Sequence, residues 1–180
     1  MKRAVAVFGS SEPQENDPLY QLAVDTGREL AGAGFAVVTG GYGGVMEGAC
    51  RGAHDAGGEA VGVVVTSIFG DREPNVYLTK TIDTPDLYER TRVLIDRCDA
   101  YLVLAGRAGT LAELAWVWAL ARAGSLLPRP VIAVGEPWPE VLDLLERRNM
   151  LDPVALRMTE RAQTAREAVD VLERRLAQDA

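Results

Sequence analysis

The stretch FAVVTGGYGGVMEGACRGAHDA, residues 35–56, contains the transition that decides the fold. Residues 35–38 form a short apolar run, which is typical of a buried strand. The glycine-rich segment 39–44 follows, and residues 45–56 then have the apolar spacing of a helix that ends at two further glycines. A strand that passes through a tight turn directly into a helix is the first half of a βαβ unit.

The same alternation continues along the rest of the chain. We predict strands at 4–8, 35–38, 60–65, 101–104 and 131–134, a possible edge strand at 154–158, a loop at 67–81, and helices at 18–33, 45–56, 84–97, 110–121, 139–147 and 164–176. Short apolar strands that alternate with helices imply right-handed crossovers between parallel strands. The predicted fold is therefore α/β: a Rossmann-like doubly wound parallel sheet with helices on both faces, in a single domain over residues 1–180.

Composition limits the classes of partner. The chain has 180 residues, a net charge of −7 and a pI near 4.8, which disfavours nucleic acid because its phosphates require a basic surface. No apolar run approaches the roughly 20 residues needed to cross a membrane, and the first residues lack the apolar core of a signal peptide. We therefore expect a cytoplasmic protein that binds neither nucleic acid nor membrane.

The cysteines and the single histidine do not form a metal-binding pattern. Cys50 and Cys98 are far apart and have no CxxC spacing, so we expect them to be reduced and packed in the core. His54 lies near a predicted helix end, where a capping or surface role is expected. No metal site is predicted.

Three loops that follow predicted strands are rich in glycine, serine or threonine: residues 9–12, 39–44 and 105–110. Ligands of open parallel sheets bind beyond the carboxyl ends of the strands, so these loops are the candidate site. The glycines of the second loop would let backbone amides approach a phosphate at a helix N-terminus. Glycine turns also arise from packing alone, so both interpretations remain open.

The third loop and the helices around it carry the charged candidates. Arg107 could donate a fork of hydrogen bonds to a phosphate, beside Thr110. Glu113 is three residues after Thr110, which is the spacing of a capping box, so its structural role would be to accept from an amide near Thr110. Arg90 lies in the charged segment YERTR, and such segments are more often a solvated helix face.

The aromatic residues near these loops have a structural and a functional interpretation. Trp116 and Trp118 are expected in the core or at an interface rather than under a ligand. Tyr42 is a weaker stacking candidate within the glycine loop.

Four motifs together resemble the LOG family, the cytokinin riboside 5′-monophosphate phosphoribohydrolases formerly mislabelled lysine decarboxylases. They are VFGSSEP (7–13), VVTGGYGGVMEGA (37–49), YERTR (88–92) and AGRAGTLAE (105–113), and the resemblance covers residues 4 to about 145. A pyridoxal phosphate decarboxylase needs a Schiff-base lysine, but the chain has only Lys2 and Lys80, so the older activity is rejected.

The family signature PGGxGTxxE, with an upstream ERK-like arginine, implies the site residues. Carried onto this sequence, Glu113 and Arg90 are the catalytic residues. The expected substrate-binding positions are Ser10, Gly40, Gly41, Gly43, Gly44, Met46, Gly106, Arg107, Gly109 and Thr110. The sequence departs from the signature at Ala105 and Arg107, and Thr91 replaces the lysine of the ERK-like segment.

The resemblance implies hydrolysis of the N-glycosidic bond of a nucleoside 5′-monophosphate, such as AMP or an N6-substituted AMP. The products would be the free base and ribose 5-phosphate, and no cofactor is required. It also implies a homodimer, with Arg90 and Trp116 or Trp118 on helices near the shared face. The alternative is a non-catalytic nucleotide or molybdenum-cofactor carrier, which Arg107 in the signature favours, and a weaker alternative is an interaction protein with a vestigial pocket.

Overall fold

The computed structural model describes residues 3–70 and 72–178. Its strands are β1 (Ala4–Phe8), β2 (Ala36–Thr39), β3 (Ala60–Val64), β4 (Lys80–Asp83), β5 (Ala100–Val103), β6 (Val131–Val134) and β7 (Thr159–Ala162). Its helices are α1 (Pro18–Gly32), α2 (Val45–Asp55), α3 (Leu87–Asp96), α4 (Ala108–Arg122), α5 (Trp138–Arg147), α6 (Pro153–Met158) and α7 (Ala165–Gln178).

The strands of the described residues form one parallel sheet in the order β4-β3-β2-β1-β5-β6-β7. The order reverses beside β1, because the chain builds outward first on one side of that strand and then on the other. This is the predicted doubly wound α/β fold. The switch point between β1 and β5 is where such sheets bind ligands.

Both faces of the sheet are buried. Val5 and Val7 of β1 pack in the core formed with α1, α2 and α7, whereas Ala6 and Phe8 pack in the core formed with α3 to α6. Successive side chains of a strand point to opposite faces, so a strand covered on both sides must be apolar throughout. That requirement explains the continuous apolar runs in the sequence.

Two predicted elements are wrong. The loop predicted at 67–81 overlaps β4, a polar and largely exposed edge strand whose backbone pairs with β3, as Lys80 does with Val61. The possible edge strand at 154–158 is instead helix α6, because Pro153 begins it and the Asp152 side chain caps the amides of Val154 and Ala155. The edge strand, β7, follows that helix.

The remaining minor predictions concern cysteine, histidine and membrane spans. Cys50 and Cys98 are free and buried, as expected, and burial raises the pKa of the two thiols to about 11 and about 12. Both therefore stay protonated at neutral pH. His54 is exposed on the last turn of α2. Within residues 3–70 and 72–178, no helix has the length and apolar character needed to span a membrane.

Candidate functional site

A cavity of about 320 Å³ lies at the switch point of the sheet. Its walls come from the end of β1, the loops after β1, β2 and β5, the first residues of α4, and side chains of α2 and α3. The lining residues are Val7, Phe8, Gly9, Ser10, Ser11, Glu12, Gly40, Met46, Arg90, Arg107, Ala108, Gly109, Thr110 and Glu113. This volume falls at the lower end of the range for small-molecule sites, roughly 300–1,000 Å³.

Backbone hydrogen bonds hold the loops together around the cavity. The amide of Ser10 donates to the carbonyl of Ala105 (3.0 Å), and the amide of Val45 donates to the carbonyl of Ser10 (2.8 Å). Gly44 has a positive φ of 71°, and a Cβ there would overlap the backbone of Ser10 and Ser11. Glycine at this position therefore lets the start of α2 approach the loop after β1.

Arg90 and Glu113 form an ion pair inside the cavity. Arg90 Nη1 lies 3.7 Å from Glu113 Oε1, and the two side chains are only 12% and 13% exposed. Two further contacts hold the Arg90 guanidinium in place. Its Nε donates to the carbonyl of Val63 (2.9 Å), and its Nη2 lies 3.7 Å from Met46 Sδ. Both charged groups therefore point at the cavity from rigid elements, α3 and α4.

The structural alternatives for these two residues do not hold. In YERTR, Glu89 and Arg92 form an exposed ion pair (2.6 Å), whereas Arg90 points toward the sheet. Helix α4 begins at Ala108 instead of the predicted residue 110, so Thr110 is inside the helix and is not its N-cap. A capping box between Thr110 and Glu113 is therefore absent.

Burial changes the acidity of Glu113. Loss of water around the carboxyl raises its pKa to about 7, and the positive charge of Arg90 offsets this only in part. At neutral pH the group is therefore divided between its protonated and charged forms. A carboxyl with a pKa near the working pH is suited to proton transfer.

The raised pKa has a consequence for stability. The folded-state pKa exceeds the unfolded value, so the folded protein binds the extra proton and loses stability as pH rises from about 4.5 through about 7. We expect Glu113→Gln to raise the free energy of unfolding by about 3 kcal/mol more at pH 8 than at pH 4.5. Urea denaturation at the two pH values measures this difference.

The exposed Glu146→Gln provides the matched control, since it makes the same chemical change at the surface on α5. Its effect should be equal at both pH values. An equally pH-independent effect of Glu113→Gln would contradict the raised pKa.

The N-terminus of α4, the helix that also carries Glu113, lines the cavity. Arg107 is the N-cap residue but makes no side-chain capping bond, and Ala108, Gly109 and Thr110 line the cavity. The first amides of a helix have no intrahelical acceptor and carry partial positive charge, so they attract anions. A Cβ at Gly109 would meet nothing within 4 Å. Packing does not require glycine there, and its absence of a side chain leaves room for a ligand.

The cavity brings together eight of the twelve sequence-predicted site residues. These are Ser10, Gly40, Met46, Arg90, Arg107, Gly109, Thr110 and Glu113. The other four, Gly41, Gly43, Gly44 and Gly106, do not line it.

Packing explains three of the four absent glycines. A Cβ would overlap Thr110 Oγ1 at Gly106, would lie 2.7 Å from Val64 Cγ1 at Gly41, and would overlap the loop after β1 at Gly44. For these positions the packing interpretation of the glycine turns is correct.

Glu12 lies in the predicted loop 9–12 but was not among the individual site residues predicted from the sequence. It lines the cavity and its Oε2 lies 2.7 Å from Arg107 Nη2. Its position in a loop directly after β1 was the available signal, but acidic residues are common in exposed loops.

The aromatic candidates have structural contacts. Tyr42 is buried, its hydroxyl accepts from the Val65 amide (3.1 Å), and its ring packs edge-on against Phe69. Trp118 Nε1 donates to Thr159 Oγ1 (2.9 Å). Only Trp116, which is 48% exposed, remains open to an external partner. No cluster of three or more metal-ligating side chains occurs in the described part of the chain.

Comparison with known proteins gives the family. The sequence profile of the SLOG cluster4 family matches residues 2–144. A cytokinin riboside 5′-monophosphate phosphoribohydrolase from Mycobacterium tuberculosis is 32% identical over 135 residues, which cover 74% of this chain and 71% of the relative. A protein of the same name from Arabidopsis thaliana is 26% identical over 177 residues, which cover 95% of this chain and 82% of the relative.

Among solved structures, the molybdenum cofactor carrier protein of Chlamydomonas reinhardtii has the same fold. It superposes with a TM-score of 0.75 over 98% of this chain and 99% of the carrier, at 23% identity. This similarity concerns the fold alone. The profile match over residues 2–144 and the mycobacterial relative together show that the chain belongs to the LOG family, the family of the cytokinin riboside 5′-monophosphate phosphoribohydrolases.

Proposed function

We propose that the protein hydrolyses the N-glycosidic bond of a nucleoside 5′-monophosphate, AMP or an N6-substituted AMP, to the free base and ribose 5-phosphate. The observation that carries the proposal is the buried pair of Glu113 and Arg90, 3.7 Å apart, in the same cavity as the N-terminus of α4. The pair supplies an acid with a pKa of about 7, and the helix supplies amides for a phosphate. The phosphoribohydrolase names of the relatives support the same reaction.

In this proposal the first turn of α4 and the Glu113 side chain bind different parts of the substrate. The 5′-phosphate binds at the N-terminus of α4, which anchors the sugar and provides binding energy away from the reacting bond. The ribose then lies toward Glu113. Cleavage of an N-glycosidic bond passes through an oxocarbenium-like transition state, and a negative carboxylate beside the anomeric carbon stabilises its positive charge.

Glu113 also directs the incoming water. Its carboxylate accepts a proton as the water oxygen bonds to the anomeric carbon. The departing base takes a proton from solvent as the carbon–nitrogen bond breaks, and Glu113 then returns its proton to solvent, so the net reaction consumes one water molecule. Arg90, held by the Val63 carbonyl, keeps the carboxylate in place and favours its charged form.

The carrier alternative needs an anion-binding loop but no buried acid. Burial destabilises the charged form of Glu113, as its raised pKa shows. A buried carboxyl of this kind has no role in a protein that only carries its ligand. The Chlamydomonas carrier protein is only 23% identical to this chain, so the similarity concerns the fold alone.

Chromatography of free base after incubation with a nucleotide panel tests the proposal. The panel contains AMP, an N6-substituted AMP, GMP, CMP and, as the control without phosphate, adenosine. We expect base from at least one monophosphate and none from adenosine. A folded protein that releases base from no monophosphate would overturn the proposed reaction.

Gly40 should be required for this activity because of Arg90. A Cβ at Gly40 would overlap Arg90 Nη2 and contact Met46 Sδ, so Gly40→Ala must displace the guanidinium. We expect a fall in kcat of about 10-fold or more, since small misplacements of catalytic groups have effects of this size. Steady-state kinetics measure it, with Gly32→Ala as control because a Cβ there meets nothing within 4 Å. Equal kcat values for both variants would show that Arg90 is not needed in this position.

We also propose a homodimer, as the family resemblance implies. Leu87, Tyr88, Leu111 and Trp116 of α3 and α4 are between 43% and 81% exposed, which is unusual for large apolar side chains on neighbouring helices. Light scattering should give twice the chain mass for the wild type and a lower mass for Trp116→Glu. A wild-type monomer would contradict the dimer.

A further inference from the structure

The mouth of the cavity is bridged by an ion pair between two of its loops. Arg107 Nη2 lies 2.7 Å from Glu12 Oε2, and the side chains are 78% and 56% exposed. Glu12 is in the loop after β1 and Arg107 is in the loop after β5, and the Ser10 to Ala105 hydrogen bond holds these loops side by side. The LOG signature has glycine where this chain has Arg107, so the bridge depends on that departure.

The bridge is weak enough to open. Ion pairs as exposed as this one contribute roughly 0–1 kcal/mol, because water screens both charges. A phosphate monoester dianion carries more charge than a carboxylate and offers three acceptor oxygens to the planar guanidinium. Exchange of Glu12 for a phosphate is therefore favourable for Arg107.

Arg107 is also in the right place for the exchange. It is the residue immediately before α4, whose first residues line the cavity, and its side chain makes no capping bond that would have to break. Glu12 lines the same cavity. Once Arg107 leaves it, the unpaired Glu12 carboxylate repels the phosphate, so Glu12 opposes binding both as a competitor for Arg107 and as a like charge.

We propose that Glu12 and Arg107 form a charge switch that selects phosphate monoesters. In the empty cavity Glu12 holds Arg107, and on binding Arg107 leaves Glu12 for the phosphate of the ligand. The switch makes Arg107 a specificity-determining residue and Glu12 its internal competitor. It rests on the proposed function for the class of ligand.

Isothermal titration with ribose 5-phosphate tests the switch. This probe has no N-glycosidic bond, so its binding is measured independently of catalysis. We expect Arg107→Ala to raise Kd by about 10-fold or more, the loss typical of a charge-assisted hydrogen bond. We expect Glu12→Gln to lower Kd by about two- to fivefold, because the competing carboxylate is gone. Arg92→Ala, which removes an exposed arginine on α3 outside the cavity, should leave Kd unchanged.

The double variant Arg107→Ala with Glu12→Gln separates the switch from simple neutralisation. If Arg107 contacts the phosphate, the double variant stays at least threefold weaker than the wild type. If Arg107 only neutralises Glu12, the double variant recovers wild-type affinity within threefold, which overturns the proposal. An unchanged Kd in Arg107→Ala, or no binding of ribose 5-phosphate to the wild type, overturns it as well.

The result is distinguishable from failure of the proposed function. Weaker ribose 5-phosphate binding in Arg107→Ala, with no base released from any nucleotide, supports the switch and rejects the hydrolase. Base release by the wild type, together with an unchanged Kd in Arg107→Ala, supports the hydrolase and rejects the switch.

Discussion

Glu113→Gln is expected to reduce kcat for base release by about 10³-fold while nucleotide binding changes only a few-fold. Glutamine has nearly the same shape but cannot carry the negative charge that stabilises the oxocarbenium-like transition state, nor accept a proton from water. The N-terminus of α4, where we propose that the phosphate binds, is left intact, so KM should be largely kept. Steady-state kinetics with AMP, or with the best nucleotide of the panel, measure the two constants separately.

The pH profile identifies the form of Glu113 that acts. In the proposed mechanism the carboxylate is the active form, and its pKa is about 7, so the wild-type rate should rise with pH and level off above that value. The residual rate of Glu113→Gln should not show this rise, whereas the exposed Glu146→Gln should match the wild type. Retention of most of the wild-type kcat by Glu113→Gln would remove Glu113 from the chemistry.

Arg90→Ala is expected to lower kcat by about 10²-fold and to move the pH profile. The guanidinium lowers the pKa of Glu113 and partly offsets the increase caused by burial. Without it the pKa rises further, so the carboxylate forms only at higher pH. The rate of the variant should therefore level off at a higher pH than the rate of the wild type. Rates measured over pH 6 to 9 for the two proteins give the shift.

The control for Arg90 lies on the same helix. Arg92→Ala removes an equal charge from the exposed face of α3, where it pairs with Glu89, and should leave both rate and profile unchanged. If Arg90→Ala lowered the rate with no shift of the profile, Arg90 would act on the substrate alone and not through Glu113.

The fold was predictable because its central strands are buried on both faces. Runs such as residues 4–8 and 131–134 must be apolar throughout, and that makes them visible in the sequence. The two edges of the sheet do not carry this requirement. β4 is polar and exposed, and β7 follows a short apolar helix, so their positions depend on backbone pairing and on the Asp152 cap.

The candidate site was predictable in its location and less so in its contacts. The rule that ligands bind at the carboxyl ends of strands selected three loops that contribute residues to the cavity. Sequence spacing alone favoured a solvated Arg90 and a capping Glu113, because it does not show that α3 turns Arg90 toward the sheet or that α4 starts at Ala108. The pairing of Glu12 with Arg107 joins residues almost a hundred positions apart and leaves no pattern in the sequence.

Mass spectrometry of the products formed from AMP in ¹⁸O-labelled water tests the central claim most directly. The account predicts adenine and ribose 5-phosphate in equal amounts over many turnovers, with one ¹⁸O atom on the sugar and none in the Glu113→Gln reaction within the same time. Intact AMP that is bound by the folded wild-type protein but never cleaved would contradict it, and would make the cavity a nucleotide-binding site without hydrolase chemistry.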